Sequence, residues 1–166
     1  MAQQPDFPAR RIFTSLQGTW ALERAMGEMG QFSGKARFFI APDSAENTLR
    51  YREEGVLHRQ DGQKFDGYRE YDFVLQGDAI EMLFRDPVSF GNRYVLLNFS
   101  QNAPGDAANN PEDSFAAQDH HPCGNDLYHH RMFWYDDDHF ETRIKVVGPN
   151  KDYELHTVYR KLEGQG

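Results

Sequence analysis

A chain of 166 residues, 39% of them hydrophobic and 14% aromatic, is long enough for one domain, and its core must rely heavily on aromatic rings. The net charge of -8 argues against nucleic acid and anionic membranes as partners, because both are bound through basic patches. The single cysteine, Cys123, excludes an intrachain disulfide, and no apolar signal segment or membrane span is visible, so we expect a soluble cytoplasmic protein.

The predicted elements are short strands separated by turn residues. Residues 1–11 are expected to be a flexible tail, and Ile12 to Leu16 a short helical turn. Strands are predicted over residues 20–24, 32–40, 48–58, 65–75, 79–85, 93–100, 127–135, 140–147 and 153–162. Residues 101–119 form a long polar loop, which is either a disordered excursion or a lid.

This spacing of strands and hairpin turns predicts an all-β fold. An antiparallel, up-and-down, calycin/lipocalin-like β-barrel with a short N-terminal helix suits it best, because a closed barrel leaves no exposed strand edges. The barrel is expected to occupy residues 12–162 as a single domain.

Ionisable groups occur on the strand faces that are expected to point inward. Alternate residues of a strand share a face, so Glu53 lies with the apolar positions of its strand, and Arg69 with those of the next. Because a hairpin joins these strands, we expect Glu53 and Arg69 to pair across the interior. The pair is either a structural ion pair that fixes the strand register or an anchor for a ligand or proton in a cavity.

Residues 120–130 concentrate further ionisable groups. Their spacing matches no standard zinc site, and a single histidine would suffice to hold haem, but solvated or hydrogen-bonded histidines explain the pattern as well. We therefore predict no metal and no cofactor. General acid/base chemistry is a further interpretation, because histidine titrates near neutrality and a carboxylate can set its tautomer. The candidate catalytic residues are Glu53, His121, Asp126 and His130.

Aromatic and polar residues of the same inward faces are candidates for ligand binding. Lys151 either remains solvated at a turn or reaches the barrel rim and holds an anionic group of a ligand. The full set of candidate ligand-binding residues is Tyr51, Arg69, Tyr71, Tyr128, Trp134, Lys151, Tyr153 and Tyr159.

Two resemblances support the barrel. Gly18-Thr19-Trp20 is similar to the Gly-x-Trp signature of lipocalins and related calycin barrels, and this likeness implies that Arg160 from the last strand packs over Trp20. A second likeness covers almost the whole chain. Its motifs are Trp20-x-Leu-x-Arg24, Gly34-x-Ala-x-Phe38, Leu49-x-Tyr-x-Glu-x-Gly55, Arg69-x-Tyr71, His121-x-Cys-x-x-Asp-x-Tyr128, Gly-Pro-x-Lys-Asp-Tyr153 and Tyr-Arg160.

In this order the motifs resemble a lipocalin-like domain-of-unknown-function family of bacteria and fungi. The resemblance implies a small calycin-like barrel and no established activity. The chain departs from the family pattern at residues 84–92, where Asp86 remains but the glycine, arginine and histidine of a Phe-x-Asp-Gly-Arg-x-Phe-His run are absent.

The sequence therefore favours a barrel that handles a small apolar or amphipathic molecule. One hypothesis is a cofactor-independent isomerase or cyclase that acts on an apolar, natural-product-like substrate. The alternative is a non-catalytic carrier of haem or another hydrophobic ligand. A protein-interaction module is a third class, but no exposed apolar patch is legible in the sequence.

Overall fold

The computed structural model describes residues 7–101 and 114–162 of the chain. Eleven strands in this part form one antiparallel sheet, in the order β6-β5-β4-β3-β2-β1-β11-β10-β9-β8-β7. The elements are α1 (Pro8–Leu16), β1 (Gly18–Ala25), β2 (Gln31–Phe39), β3 (Thr48–His58), β4 (Lys64–Gln76), β5 (Ala79–Phe84), β6 (Arg93–Asn98), β7 (Ser100–Gln101), β8 (Phe115–Cys123), β9 (Asp126–Asp136), β10 (His139–Gly148) and β11 (Lys151–Lys161).

The sheet curls into a nearly closed barrel, which confirms the predicted fold class. β6 lies beside β8 without a strand ladder between them, and the side chain of Asp119 bridges this seam. Its Oδ2 accepts a hydrogen bond from the Leu96 amide at 2.8 Å. In the described part of the chain, the strands therefore enclose one interior, with a single seam between the two sides of the sheet.

Glycine permits β2 and β3 to approach each other closely. Gly34 and Gly55 are directly opposite each other, and a Cβ atom at Gly34 would lie 2.0 Å from the Glu54 carbonyl oxygen. Only a residue without a side chain allows the two backbones to approach this closely.

Helix α1 closes one end of the barrel. It begins at Pro8, four residues before the predicted helical turn, because proline is well suited to the first turn of a helix. Ala9, Ile12 and Leu16 are fully buried on its inner face. Pro8 to Arg11 therefore belong to the helix instead of the predicted tail, and residues 1–6 lie outside the described residues.

The predicted loop at residues 101–119 also differs from the structure at its C-terminal side. Residues 115–119 belong to β8, which pairs with β9 along its whole length, from Phe115 opposite Trp134 to Cys123 opposite Asp126. Alanine, glutamine and aspartate are weak strand formers, so pairing with a long neighbour decides the structure here. Residues 102–113, where a lid was one interpretation, lie outside the described residues.

Candidate functional site: a polar cavity in the barrel

The barrel interior has two halves of different character. Near α1 it is filled with aromatic rings: the centroid of Phe140 lies 4.8 Å from that of Trp20 and 5.5 Å from that of Trp134. Trp134, predicted to bind a ligand, is buried in this packed half and does not line the cavity described below. The ionisable groups that were expected inside the barrel therefore lie in the half away from the helix.

The residue that covers Trp20 is Lys161, not Arg160. Lys161 Nζ lies 5.2 Å from the centre of the indole and donates a hydrogen bond to the Ser15 carbonyl at 2.6 Å. Lys161 is directly opposite Trp20 in the β1–β11 ladder, so its side chain shares the inner face. Arg160, the neighbour implied by the lipocalin resemblance, is exposed on the other face, and that expectation was wrong.

A buried ionic network occupies the middle of the barrel. Glu53, which is 2% exposed, receives two hydrogen bonds from Arg24, one on each carboxylate oxygen, at 2.8 and 2.9 Å. Arg24 Nε donates to Thr157 Oγ1 at 2.8 Å. In this bidentate pairing, both carboxylate oxygens of Glu53 accept hydrogen bonds from Arg24. Sequence reasoning missed Arg24, although the alternation Trp20, Leu22, Arg24 places it on the inner face.

Arg69 is a second cation beside the same carboxylate. Its Nε lies 3.1 Å from Glu53 Oε1, which confirms the predicted pairing of Glu53 and Arg69 across neighbouring strands. Burial alone would raise the pKa of Glu53, but the charge of Arg69 and the hydrogen bonds from Arg24 and Tyr51 outweigh it and lower that pKa to about 2. Glu53 is therefore an ionised acceptor at neutral pH.

Two tyrosines extend this network toward the cavity. The Tyr51 hydroxyl donates to Glu53 Oε1 at 2.7 Å, so the hydroxyl of Tyr159, 2.9 Å away, donates to Tyr51. Burial raises the pKa of both phenols, and each remains neutral. The chain of hydrogen bonds holds the rings in fixed orientations around the carboxylate.

Next to this network lies a partly open cavity of about 30 Å³. This room corresponds to about two water molecules. Aromatic and apolar side chains form most of the wall, with a few polar groups among them. The lining residues are Phe38, Tyr51, Arg69, Tyr71, Phe73, Met82, Tyr94, His130, Met132, Phe140, Thr142, Ile144 and Tyr159.

His130 is the most unusual polar residue of the cavity. The side chain is 3% exposed, and its Nδ1 lies 3.2 Å from the Tyr94 hydroxyl. Its Nε2 is buried and has no hydrogen-bond partner among the residues that the structure describes. Burial, and next the charge of Arg69, lower the pKa of His130 to about 3, so the ring is neutral at pH 7. Neutral imidazole presents one N–H donor and one lone pair.

The sequence analysis did not include Tyr94 among the cavity residues, because a local irregularity of the strand moves this side chain inward. The β5–β6 ladder shifts register between Met82 and Leu83, and both Tyr94 and Val95 are buried as a result. Strict alternation would bury only one of two successive residues. The sequence carries no clear signal for this bulge.

Further predicted residues gather at the mouth of the barrel. His121 contacts the rings of Phe84 and Tyr94, each with centroids 5.3 Å apart, and Tyr128 at 6.3 Å. The aromatic wall thus continues from the cavity to the mouth. None of these contacts gives His121 a carboxylate partner in the described part of the chain.

Asp126 and Lys151 form an ion pair at the rim, with Lys151 Nζ 2.9 Å from Asp126 Oδ2. Lys151 is the first residue of β11 and its side chain is 42% exposed. Burial raises the pKa of the neighbouring Tyr153.

The predicted residues fall into two groups. The structure brings Tyr51, Arg69, Tyr71, Tyr159 and His130 together at the cavity, with Glu53 directly behind them. It places His121, Asp126, Tyr128, Lys151 and Tyr153 toward the mouth.

Within residues 7–101 and 114–162, no group of three or more His, Cys, Asp and Glu side chains is arranged to hold a metal ion. His120 and His129 stack at 4.3 Å on the outer face, where His129 Nε2 contacts Gln118 at 3.0 Å. No helix in the described ranges is long and apolar enough to cross a membrane.

Residues 16–161 match the profile of a family of unknown function, DUF6314. The chain belongs to this family. The match spans the barrel from the end of α1 to the last residue of β11 and includes every residue of the cavity. No functionally curated protein matches the sequence.

Solved structures share the architecture at low sequence identity. The S-type phycobiliprotein lyase CPES from Guillardia theta superposes with a TM-score of 0.58 at 8% identity, covering 94% of this chain and 93% of the lyase. A redesigned β-barrel, mFAP1, bound to DFHBI, reaches a TM-score of 0.46 at 13% identity, covering 91% of this chain and 99% of its own. The likeness to the lyase supports the barrel fold and nothing finer.

Proposed function

We propose that this barrel binds a small, mainly aromatic or apolar molecule in the cavity between His130 and Arg69. The observation that carries the proposal is the buried Nε2 of His130, which lines the cavity and has no partner among the described residues. Buried polar atoms nearly always have a hydrogen-bond partner, and the exceptions mark places where water or a ligand completes the site. An occupant with one polar atom would satisfy this nitrogen.

The walls of the cavity suit such an occupant. Rings of Tyr71 and Tyr94 stack at 5.8 Å, and Phe38 packs edge-on against Phe73 at 5.0 Å. Small-ligand sites are generally apolar walls with a few placed polar groups. The cavity as it stands has room for about two water molecules. A ring-sized guest must therefore displace any water and turn side chains aside. Met82 and Met132 are suited to this because methionine adapts its shape readily.

A second candidate function is a cofactor-independent isomerase or cyclase that acts on the same kind of guest. It is favoured by the contact between His130 Nδ1 and the Tyr94 hydroxyl. If Tyr94 donates to Nδ1, then Nε2 carries the proton and can donate it. In the other tautomer, Nε2 is a lone pair that can accept one.

The low pKa of His130 sets a condition on this chemistry, since a ring with a pKa of about 3 is a weak base at neutral pH. An anionic substrate beside the ring would raise that pKa and strengthen the base. Glu53 is less suited to proton transfer, because two arginines hold it ionised. The fold shared with the phycobiliprotein lyase does not identify a substrate for this chain.

Binding can be tested with phenol, a small neutral aromatic molecule. Methyl resonances of Met82 and Met132 report on the cavity, and both side chains are buried. We expect phenol to shift these methyl signals and the His130 ring signals together, and His130→Gln to weaken the binding about tenfold. His129→Gln is the matched control, because its side chain lies on the opposite face of the same strand. Absence of any shift for phenol, benzamide and benzoate would refute the proposal.

Carriage and catalysis are separated by comparing binding with turnover. Native mass spectrometry of the purified protein identifies any retained molecule, which then serves as the test ligand. For a carrier, single substitutions of Glu53, His121, Asp126 and His130 change affinity and the ligand is recovered unchanged. For an isomerase or cyclase, at least one of these substitutions reduces turnover while binding persists.

A further inference from the structure

We infer that the molecule held in the cavity carries an anionic oxygen group, such as a carboxylate, enolate or phenolate, and that Arg69 binds it. This inference rests on the proposed binding function and adds the chemical class of the ligand. It follows from the charges around the cavity, from the unfilled hydrogen-bonding capacity of Arg69 and from the position of that side chain.

The charges around the cavity do not cancel. Arg24 and Arg69 are both cations, and Glu53 is the one carboxylate that contacts them in the described part of the chain. Arg24 engages both oxygens of Glu53 in a bidentate pair, so the negative charge is already matched. The charge of Arg69 is in excess, and a buried or half-buried cation is costly without an anion.

Hydrogen bonding shows independently that Arg69 has a place for an acceptor. Arg69 Nε is buried close to Glu53 Oε1, but the angle does not make a hydrogen bond, and the nitrogen has no acceptor among the described residues. Glu53 Oε1 already accepts from Arg24 and Tyr51. The Nε–H of Arg69 therefore lacks the acceptor that a buried donor requires.

No acid within the described residues is free to fill this role from the cavity wall. Among the described residues, neither Asp nor Glu lines the cavity. Asp119, across the interior, accepts from the Leu96 amide at the seam, and Asp126 is paired with Lys151 at the rim. The phenols of Tyr51, Tyr94 and Tyr159 are neutral, because burial raises the pKa of each.

The position of Arg69 lets a ligand reach it. The side chain lines the cavity and is 38% exposed, so it connects the interior with solvent. Its guanidinium lies over the Tyr71 ring at 5.5 Å, which restricts its rotation. A planar guanidinium binds a carboxylate or phenolate through parallel N–H donors. An anion on Arg69 would place the attached ring among Tyr71, Tyr94 and His130.

The experiment compares benzoate with benzamide, which have the same shape and differ in charge. Both are titrated into the wild-type protein, with calorimetry for affinity and methionine methyl signals for location. We expect benzoate to bind at least about tenfold more tightly than benzamide. Arg69→Gln should abolish this preference and Arg69→Lys should retain part of it. Arg52→Gln, on the outer face of the neighbouring strand, should leave it unchanged.

A measurement on the wild-type protein keeps the test decisive if the Arg69 variants fail to fold. The Nε–H resonance of Arg69 should shift on addition of benzoate and remain in place with benzamide. If benzamide binds in the cavity as tightly as benzoate, the anionic class is wrong while the binding function stands. If none of the aromatic probes shifts the Met82 and Met132 methyl signals, the proposed function fails and this inference fails with it.

Discussion

Replacing Glu53 by glutamine tests the ionic network at the centre of the barrel. The substitution keeps the shape of the side chain but leaves the buried Arg24 and the partly exposed Arg69 side by side without a counter-charge. Loss of one partner of a buried ion pair costs about 3–5 kcal/mol. The Glu53 pKa is lowered from 4.5 to about 2, and this shift independently gives the ionised carboxylate a contribution of about 3 kcal/mol to the free energy of unfolding at neutral pH. We therefore expect Glu53→Gln to reduce the free energy of unfolding by about 3 kcal/mol at pH 7.

The pH dependence has a defined sign. Because the folded-state pKa of Glu53 is depressed, its contribution is complete above the unfolded-state value of 4.5 and is lost as the pH falls through about 2. Urea unfolding at pH 7 and pH 3 should show the difference between wild type and Glu53→Gln falling to less than half. Glu54→Gln is the control, since its exposed pair with Arg52 contributes below about 1 kcal/mol. Equal effects of the two substitutions at pH 7 would refute the reasoning.

Three further predictions concern other parts of the barrel. Lys161→Met should lower the free energy of unfolding by about 1 kcal/mol, because it removes the cation over the buried indole. The control Arg160→Met should change this free energy by less than about 0.5 kcal/mol. Equal losses of stability for the two variants in thermal unfolding would contradict the placement of Lys161. Gly34→Ala should cost about 3 kcal/mol or more because its Cβ would clash with backbone, whereas Gly67→Ala, with its nearest neighbour at 3.4 Å, should cost less than about 1 kcal/mol in urea unfolding. NMR titration should show the His130 ring neutral down to about pH 4, since its pKa is about 3. The free energy of unfolding should fall as the pH drops below the unfolded-state pKa of 6.5, because the unfolded chain then binds a proton that the folded chain does not. A measured His130 pKa near 6.5 would contradict its burial beside Arg69.

Alternation along the strands was sufficient to predict most of the interior. Thr142, Ile144 and Val146 face inward, as the polar residues between them indicate. The same rule placed Glu53 and Arg69 inside on neighbouring strands, because a hairpin joins the two strands, and the structure shows the two residues directly opposite each other. Period-two patterns are reliable where one face is buried, since a slip of one residue would expose every apolar side chain of a strand.

The remaining features depend on contacts that alternation does not encode. β8 forms because β9 offers a long partner, although Pro122 and the alanines of β8 are poor strand residues. Tyr94 reaches the cavity through a bulge, and Lys161 covers Trp20 because of the exact pairing of β1 with β11. The charge excess at Arg69 emerged only when the structure showed Arg24 occupying both oxygens of Glu53.

A high-resolution crystal structure of the protein soaked in benzoate tests the central claim most directly. The claim predicts the carboxylate within hydrogen-bond distance of the Arg69 guanidinium, the ring against Tyr71, Tyr94 and His130, and Glu53 still paired with Arg24. Benzoate bound only outside the barrel, with Arg69 extended into solvent and apolar side chains filling the space beside His130, would contradict it.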